Sequence, residues 1–178
     1  MTDIKLFERW VKNALKNTFV FNLYKEFFIV IDGYTGFKIP NKCKSYKKII
    51  QGYTFQDLEN SFFIRDREIN KTNKYKKLDM LEHFDMSNKT KCEMLPFVYE
   101  KSDKMQIFKA NNDLIFINKE LLKNINIENY EIYAESPVTP LVFKSQDITY
   151  ITLPIMMNGF RYTIEENKES QDAFNDFR

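Results

Sequence analysis

The sequence predicts a single α+β domain in which a helix leads into three antiparallel strands, and this order occurs twice. Three observations indicate this fold class. The length of 178 residues suits one ordinary domain. The composition supplies a sizeable core, because 43% of the residues are hydrophobic and 17 Phe and 10 Tyr are present. In both parts of the chain a segment with the apolar period of a helix is followed by three segments with the pattern of strands, which indicates two similar halves.

Residues 3–16 are predicted to form the first helix. Apolar side chains recur at three- and four-residue spacing, and the cations fall on the opposite side. Thr2 or Asp3 can cap the N-terminus. A stripe of cations alone repels itself, so it indicates either an anionic partner or a solvated face. The apolar positions are Ile4, Phe7, Val11, Ala14 and Leu15, with Trp10 at the edge, and the cationic stripe is Lys5, Arg9, Lys12 and Lys16.

Three strands are predicted after this helix, at residues 18–23, 26–31 and 36–39. The turns between them fall at Tyr24-Lys25 and at Asp32-Gly33. Asp32 is compatible with two roles, a catalytic carboxylate or a turn residue that accepts local backbone hydrogen bonds. Catalysis would need a second carboxylate, a metal site or a base near it. The sequence shows none of these, so the turn role is favoured.

Residues 41–94 are predicted to form an irregular, basic insert between the halves. A short strand is expected at SYKKII, one or two helical turns at FQDLENSFF, and a mobile connection at REINKTNKYKKLDM. Residues 41–91 hold twelve basic and seven acidic groups, interleaved with tyrosines, which suits a nucleic-acid backbone and stacked bases. A solvated insert in a lysine-rich protein is the alternative. The cations are Lys42, Lys44, Lys47, Lys48, Arg65, Arg67, Lys71, Lys74, Lys76 and Lys77.

Residues 95–157 are predicted to form the second half. Strands are expected at 95–99, 105–109 and 113–117, then at 130–134, 141–144 and 148–153. Between these groups Asn118 caps a short helix, KELLKNI, whose Lys119 and Lys123 share one side. Asn158-Gly159 predicts a hairpin that returns residues 160–164 as an edge strand. Residues 165–178 hold two basic and five acidic groups and are expected to form an acidic, flexible tail.

Several classes of function are disfavoured by the residue inventory. His83 is the only histidine and Cys43 and Cys92 stand far apart, so we expect no resident metal and no Cys-His or Ser-His-Asp catalysis. Only four glycines occur, which argues against a phosphate-binding loop. No apolar run approaches the roughly 20 residues of a membrane helix. We therefore expect a cytoplasmic protein with no cofactor and no membrane partner.

Two blocks of this sequence resemble the bacterial sliding clamp, the processivity factor of DNA polymerase. IVIDGYTGFKIP follows the first helix and is similar to a clamp signature of the type ATDGHRLA. DLIFINKELLKNI, then NYEIYAESPVTPLVFKSQDITYITLPIMM, is similar to the end of a clamp chain, with Pro140–Phe143 and Leu153–Ile155 in matching order. The resemblance implies one clamp-like domain over residues 1–164, with halves at 1–40 and 95–157 of βαβββ type.

The same resemblance implies that both helices turn their cations to one surface under a continuous sheet. In clamps such helices line the inner wall of a ring around DNA. The basic residue that follows Asp-Gly-His in the clamp signature is replaced here, since Tyr34 is followed by Thr35 and Gly36. The chain also has room for one of a clamp's three domains. The resemblance therefore implies the fold and not processivity.

Three functions are compatible with these features. The first is a non-enzymatic phage or mobile-element protein that inhibits host nucleic-acid machinery, most concretely an anti-CRISPR inhibitor of a Cas effector nuclease and its guide RNA. Its partner would be a host protein or ribonucleoprotein, with DNA or RNA contact possible. The second is a DNA-binding accessory factor that contacts duplex DNA through the helix cations. The third, a metal-dependent nuclease using Asp32, Asp57, Glu59 or Asp66, is disfavoured because these carboxylates form no paired motif.

The acidic tail contains a pattern that is similar to docking peptides. Gln171, Phe174 and Phe177 are loosely similar to the Gln-x-x-apolar-x-x-aromatic peptides that dock on sliding clamps. Aromatic residues among acids also suit any basic, apolar groove. A tail without function is the alternative.

Overall fold

The first helix and three strands lie where the sequence predicts them. The computed structural model describes residues 3–14, 19–41, 61–65, 68–72, 77–100 and 104–156. Phe7, Trp10 and Val11 are buried on the inner side of the helix, together with Leu6, which the pattern analysis did not place there. The elements are α1 (Asp3–Ala14), β1 (Phe19–Leu23), β2 (Phe27–Ile31) and β3 (Thr35–Pro40).

The central part of the chain is more regular than predicted. Two strands and a helix form there: β4 (Ser61–Arg65), β5 (Glu68–Thr72) and α2 (Lys77–Glu82). The expected helical turn at FQDLENSFF is therefore wrong for residues 61–63, and the expected mobile connection is wrong for residues 68–72 and 77–80. The reason is tertiary, because β4 pairs antiparallel with β1, from Phe19 opposite Ile64 to Phe21 opposite Phe62. The strand expected at SYKKII lies outside the described residues.

The second half contains its predicted strands, but its helix is shorter. The hydrogen-bonded turn over KELLKNI is a 3₁₀ helix of four residues, because Ile125 is already extended at φ −135° and ψ 163°. Lys119 consequently precedes the helix. The elements are β6 (Thr90–Lys91), β7 (Glu93–Glu100), β8 (Lys104–Ala110), β9 (Asp113–Asn118), the 3₁₀ helices η1 (Leu121–Asn124) and η2 (Ile127–Asn129), then β10 (Glu131–Ala134), β11 (Leu141–Lys144) and β12 (Thr149–Thr152).

One antiparallel sheet joins the N-terminal and C-terminal strands. Nine described strands pair in the order β5-β4-β1-β2-β3-β12-β11-β10-β6, and β7-β8-β9 form a second sheet. The two groups of strands meet at β3 and β12, which pair from Thr149 opposite Lys38 to Thr152 opposite Thr35. Because the order on one side of this pair mirrors the order on the other, β1 and β10 lie equally far from it.

The core lies on both faces of the nine-stranded sheet. One face packs against α1, η1 and the second sheet, through residues such as Phe7, Leu122 and Phe108. The other face packs against α2 and the turn after it, through Met80 and Phe84. The sheet is therefore a middle layer, which explains why its central strands are apolar on both sides. Among the helices that the structure describes, none is long and apolar enough to cross a membrane.

Candidate nucleic-acid interface

The exposed side of α1 carries two of the four predicted cations. Lys5 and Arg9 are exposed, while Phe7 and Trp10 on the other side are 0% and 4% exposed. This separation follows from the 3.6-residue period of the helix, which places residues 5 and 9 one turn apart on one side. The side chain of Lys12 and all of Lys16 lie outside the described residues.

The orientation of α1 is fixed by hydrogen bonds to the sheet. The buried Trp10 Nε1 donates to Thr35 Oγ1 at 2.9 Å. Thr35 Oγ1 in turn donates to Asp32 Oδ1 at 3.0 Å. The Trp10 ring also packs edge-on against Phe37, with centroids 5.0 Å apart. These contacts prevent α1 from rotating about its axis, so its cations stay on the outer side.

Asp32 holds the turn between β2 and β3. Its Oδ1 accepts hydrogen bonds from the backbone N–H of Tyr34 at 3.0 Å and of Thr35 at 2.8 Å. Gly33 adopts φ 100°, which other residues rarely reach. The carboxylate is thus engaged in the turn role that the sequence favours. The other carboxylates considered for a nuclease, Asp57, Glu59 and Asp66, lie outside the described residues.

The second part of the interface is η1, which is held against the sheet by Tyr150. The Tyr150 hydroxyl donates to the Leu121 carbonyl at 2.8 Å, and Asn118 Oδ1 accepts from the Glu120 N–H at 2.9 Å. Burial raises the pKa of Tyr150 far above its usual range, so this hydroxyl remains a donor. Lys119 and Lys123 are exposed around this turn.

A direct contact brings the two cationic segments together. The Arg9 guanidinium donates through one NH2 group to the Lys123 carbonyl at 2.8 Å. Arginine has five N–H donors, so this bond orients Arg9 and leaves other donors available. We define the basic face as the described cations of α1 and η1: Lys5, Arg9, Lys119 and Lys123.

An anion lies beside Lys123 in the basic face. Glu120 forms an ion pair with Lys123, with Nζ to Oε1 at 2.6 Å, and both side chains are more than half exposed. Sequence analysis did not consider this pair, although a three-residue spacing between Glu and Lys in a helical turn could have indicated it. The Arg9 contact had no sequence signal, because the two residues are 114 positions apart.

The remaining predicted site residues are placed as follows. Lys77 begins α2, but its side chain is not described. Lys44, Lys47, Lys48, Lys74 and Lys76 of the central insert lie outside the described residues, as do Gln171, Phe174 and Phe177 of the tail. No described part of the chain brings three or more His, Cys, Asp or Glu together in a way that could hold a metal ion.

The histidine and the described cysteine lie apart from the basic face. His83 is exposed in the turn after α2. Cys92 is buried, and burial raises the pKa of its thiol to about 11. A neutral, buried thiol is a poor nucleophile. Cys92 is therefore a core residue, and it packs in the same cluster as Ile132.

The comparisons with known proteins found solved structures and no sequence relatives. No protein-family model and no curated protein matches the chain. One is a structure described as a putative DNA polymerase III beta subunit from Eubacterium rectale, which is 13% identical in sequence. The match covers 89% of this chain and 65% of the Eubacterium chain, with a TM-score of 0.43. The DNA polymerase III beta chain of Streptococcus pneumoniae is 10% identical, with the same coverage and a TM-score of 0.38. This chain thus spans 65% of the length of both.

Proposed function

We propose that this protein is a non-enzymatic binding protein whose basic face contacts the phosphate backbone of nucleic acid. The observation that carries the proposal is the hydrogen bond from Arg9 to the Lys123 carbonyl. This bond makes one surface from two segments that each supply cations. A phosphate backbone is a repeating anion, so it requires several cations at fixed spacing on one surface.

The charge of this surface supports an anionic partner. No described carboxylate is ion-paired with Lys5, Arg9 or Lys119. Among the cations of the basic face only Lys123 is ion-paired with a described carboxylate, and an exposed pair is readily exchanged for another anion. Binding a polyanion would remove the mutual repulsion of these cations and release the counterions condensed on the nucleic acid.

The mirrored strand order supports a finer interpretation of the same surface. In it, residues 1–164 form one clamp-like domain with two βαβββ-type halves and α1 and η1 as its helical layer. Strands β1–β3 and β10–β12 lie in mirrored order about the β3–β12 pair. α1 and η1 pack on the same face of this sheet, since Phe7 and Leu122 belong to one core cluster. The residues that reach nucleic acid would then be those of the basic face.

Reversing two charges tests this function. The variant Lys5→Glu/Arg9→Glu is expected to bind a 20-base-pair duplex at least about tenfold more weakly at low salt. In a plot of log affinity against log salt concentration, the slope for this variant should also be shallower by about two units, since each phosphate contact contributes about 0.9. Fluorescence anisotropy across a salt series measures both quantities. Lys109→Glu/Lys144→Glu, with one change on β8 and one on β11, makes the same change in net charge.

The control separates a local interface from a general effect of charge. If Lys109→Glu/Lys144→Glu weakens binding as much as the test variant, the basic face is not the site. If neither variant changes the affinity, nucleic acid is not the partner. Circular dichroism checks that both variants stay folded, which is expected because Lys5, Arg9 and Lys144 are exposed and Lys109 is partly exposed.

Removing the anion that is paired with Lys123 should have the opposite effect. Glu120→Gln leaves Lys123 unpaired and is expected to tighten duplex binding about two- to threefold, an amount typical of one exposed ion pair. Thermal unfolding should change little, because both partners are exposed. The same anisotropy assay measures the affinity, with Glu128→Gln as the charge-matched control. Weaker binding by Glu120→Gln would contradict this role of Glu120.

Inhibition of a Cas effector nuclease, the narrower hypothesis from the sequence, stays a prediction. An assay of this inhibition measures the cleavage of target DNA by a purified Cas effector and its guide RNA, with and without the full chain. Unchanged cleavage at a saturating concentration of the protein counts against it. The nuclease alternative predicts products from labelled DNA or RNA when Mg²⁺ or Mn²⁺ is added.

A further inference from the structure

The short helix η1 depends on other elements for its position. It has four residues, and a 3₁₀ helix of this length does not persist alone in water. Within it the Lys123 N–H donates to the Glu120 carbonyl, and the Ile125 N–H donates to the Leu122 carbonyl, both at 3.3 Å. These bonds are longer than most backbone hydrogen bonds. The place of Lys123 on the surface therefore depends on contacts from outside η1.

Two side chains from separate elements hold carbonyls of η1. From the core, the Tyr150 hydroxyl of β12 donates to the Leu121 carbonyl at 2.8 Å. From the surface, the Arg9 guanidinium of α1 donates to the Lys123 carbonyl at 2.8 Å. Carbonyls in the last turn of a helix lack partners within the helix, and polar side chains can satisfy them. η1 is thus fixed between a buried hydroxyl and an exposed guanidinium.

Both supports are held in turn by the aromatic cluster around Phe37. The Phe37 ring packs against Trp10 of α1 and against Tyr150, with centroids 5.0 Å and 4.7 Å apart. Trp10 follows Arg9 directly in the chain. Because close-packed cores resist displacement, α1 cannot shift relative to β12 without disturbing this cluster. Arg9 therefore reaches the Lys123 carbonyl from a helix whose place is fixed.

We propose that Arg9 is a positioning residue of the basic face, which seats η1 so that Lys119 and Lys123 are presented together with Lys5. The inference rests on the proposed function, because it gives Arg9 a second role in the same nucleic-acid contact. One NH2 group holds the Lys123 carbonyl, and the remaining donors of the guanidinium are left for a phosphate. Arg9 thus joins the two segments in the free protein and contacts the ligand in the complex.

Lysine cannot perform both roles at this position. A guanidinium is planar and carries five N–H donors on three nitrogen atoms, so one edge can bind a carbonyl while another faces outward. The three donors of an ammonium group share one nitrogen, which would have to lie at the Lys123 carbonyl in order to bind it. The variant Arg9→Lys therefore keeps the net charge and removes the bridge between the two segments.

Hydrogen exchange of the free protein tests the positioning without any ligand. In Arg9→Lys, the amides of Lys123 and Ile125 are expected to exchange about fivefold faster, which corresponds to the loss of about one hydrogen bond. Tyr150→Phe removes the other support at unchanged charge and should act in the same direction. Amides of the β1–β2 pair are the internal control, and their unchanged rates also show that both variants stay folded.

Duplex binding tests the consequence for the basic face. Arg9→Lys should bind a 20-base-pair duplex about fivefold more weakly at unchanged charge, because η1 is seated in fewer molecules. A double-mutant cycle shows whether this loss acts through η1. Lys119→Gln/Lys123→Gln should weaken binding less in the Arg9→Lys protein than in the unchanged chain. Lys5→Gln, one turn from Arg9 on the same stripe, is the matched comparison and should weaken binding equally in both.

The outcomes separate this inference from the proposed function. Unchanged exchange at Lys123 and Ile125 in Arg9→Lys would overturn the positioning role, with or without a ligand. An unchanged duplex affinity, or equal effects of Lys119→Gln/Lys123→Gln in both proteins, would overturn it too. If the unchanged chain binds no duplex, the proposed function fails instead, and the exchange rates alone decide whether Arg9 seats η1.

Discussion

Replacing Phe37 with alanine is expected to lower the free energy of unfolding by about 3–5 kcal/mol, the usual cost of removing a buried phenylalanine. Phe37 is 1% exposed and lies at the centre of an aromatic cluster. Its ring centroid is 5.1 Å from Phe7, 5.0 Å from Trp10 and 4.7 Å from Tyr150. The substitution therefore leaves a cavity between the sheet and α1, and it removes contacts from Tyr150, which holds η1.

Urea denaturation measures this effect, with Phe97→Ala as the matched control. Phe97 is 48% exposed on β7, so the same truncation there is expected to cost less than about 1 kcal/mol. A loss at Phe37 no larger than the loss at Phe97 would show that the aromatic cluster does not hold α1 on the sheet. The basic face would then lack its support, because Trp10 and Tyr150 both pack on Phe37.

Replacing Gly36 with valine is expected to cost about 3 kcal/mol, the upper part of the range for overpacking. Gly36 lies in β3, directly opposite Ile31 on one side and Ile151 on the other. A Cβ atom at Gly36 would lie 2.9 Å from Ile31 Cγ1, 3.0 Å from the Val30 carbonyl oxygen and 3.1 Å from Ile151 Cγ1. The side chains could shift, but the carbonyl belongs to the β2–β3 ladder and cannot move without weakening it.

Gly33→Ala is the control for this prediction. Gly33 adopts φ 100° and its Cβ would meet nothing within 4 Å, so its cost is conformational, about 1 kcal/mol. Thermal or urea unfolding of the two variants separates crowding from backbone strain. Equal destabilisation at both positions would show that the sheet can open around Gly36. The strands β3 and β12 could then move apart locally, although their register pairs them over four residues.

The strands were predictable because their signals are local. Alternating or continuous apolar runs such as FFIVI and DLIFIN, bounded by Asp-Gly or Asn-Asn turns, place β2 and β9 within a residue of their observed limits. The α1 stripe was predictable for the same reason, since the period of a helix lies within its own sequence. In these segments local propensity and tertiary environment agree.

The strands β4 and β5 were not predictable from the same signals. EINKT has one apolar residue and no alternation, yet it pairs with β4 over five residues, from Ser61 opposite Thr72 to Arg65 opposite Glu68. β4 is in turn fixed by β1. A strand at the end of the described sheet order can be held by backbone hydrogen bonds to its one neighbour and so needs no hydrophobic pattern of its own.

The sequence by itself determined the α+β class, the cationic side of α1 and the turn at Asp32, because each depends on residues within one turn or one strand. Only the tertiary structure decided which separated segments meet: Arg9 on the Lys123 carbonyl, β3 beside β12, and Lys38 beside Lys144 across Thr149. A surface built from distant segments has no period in the sequence. Its charge arises from packing and strand register, which are properties of the whole fold.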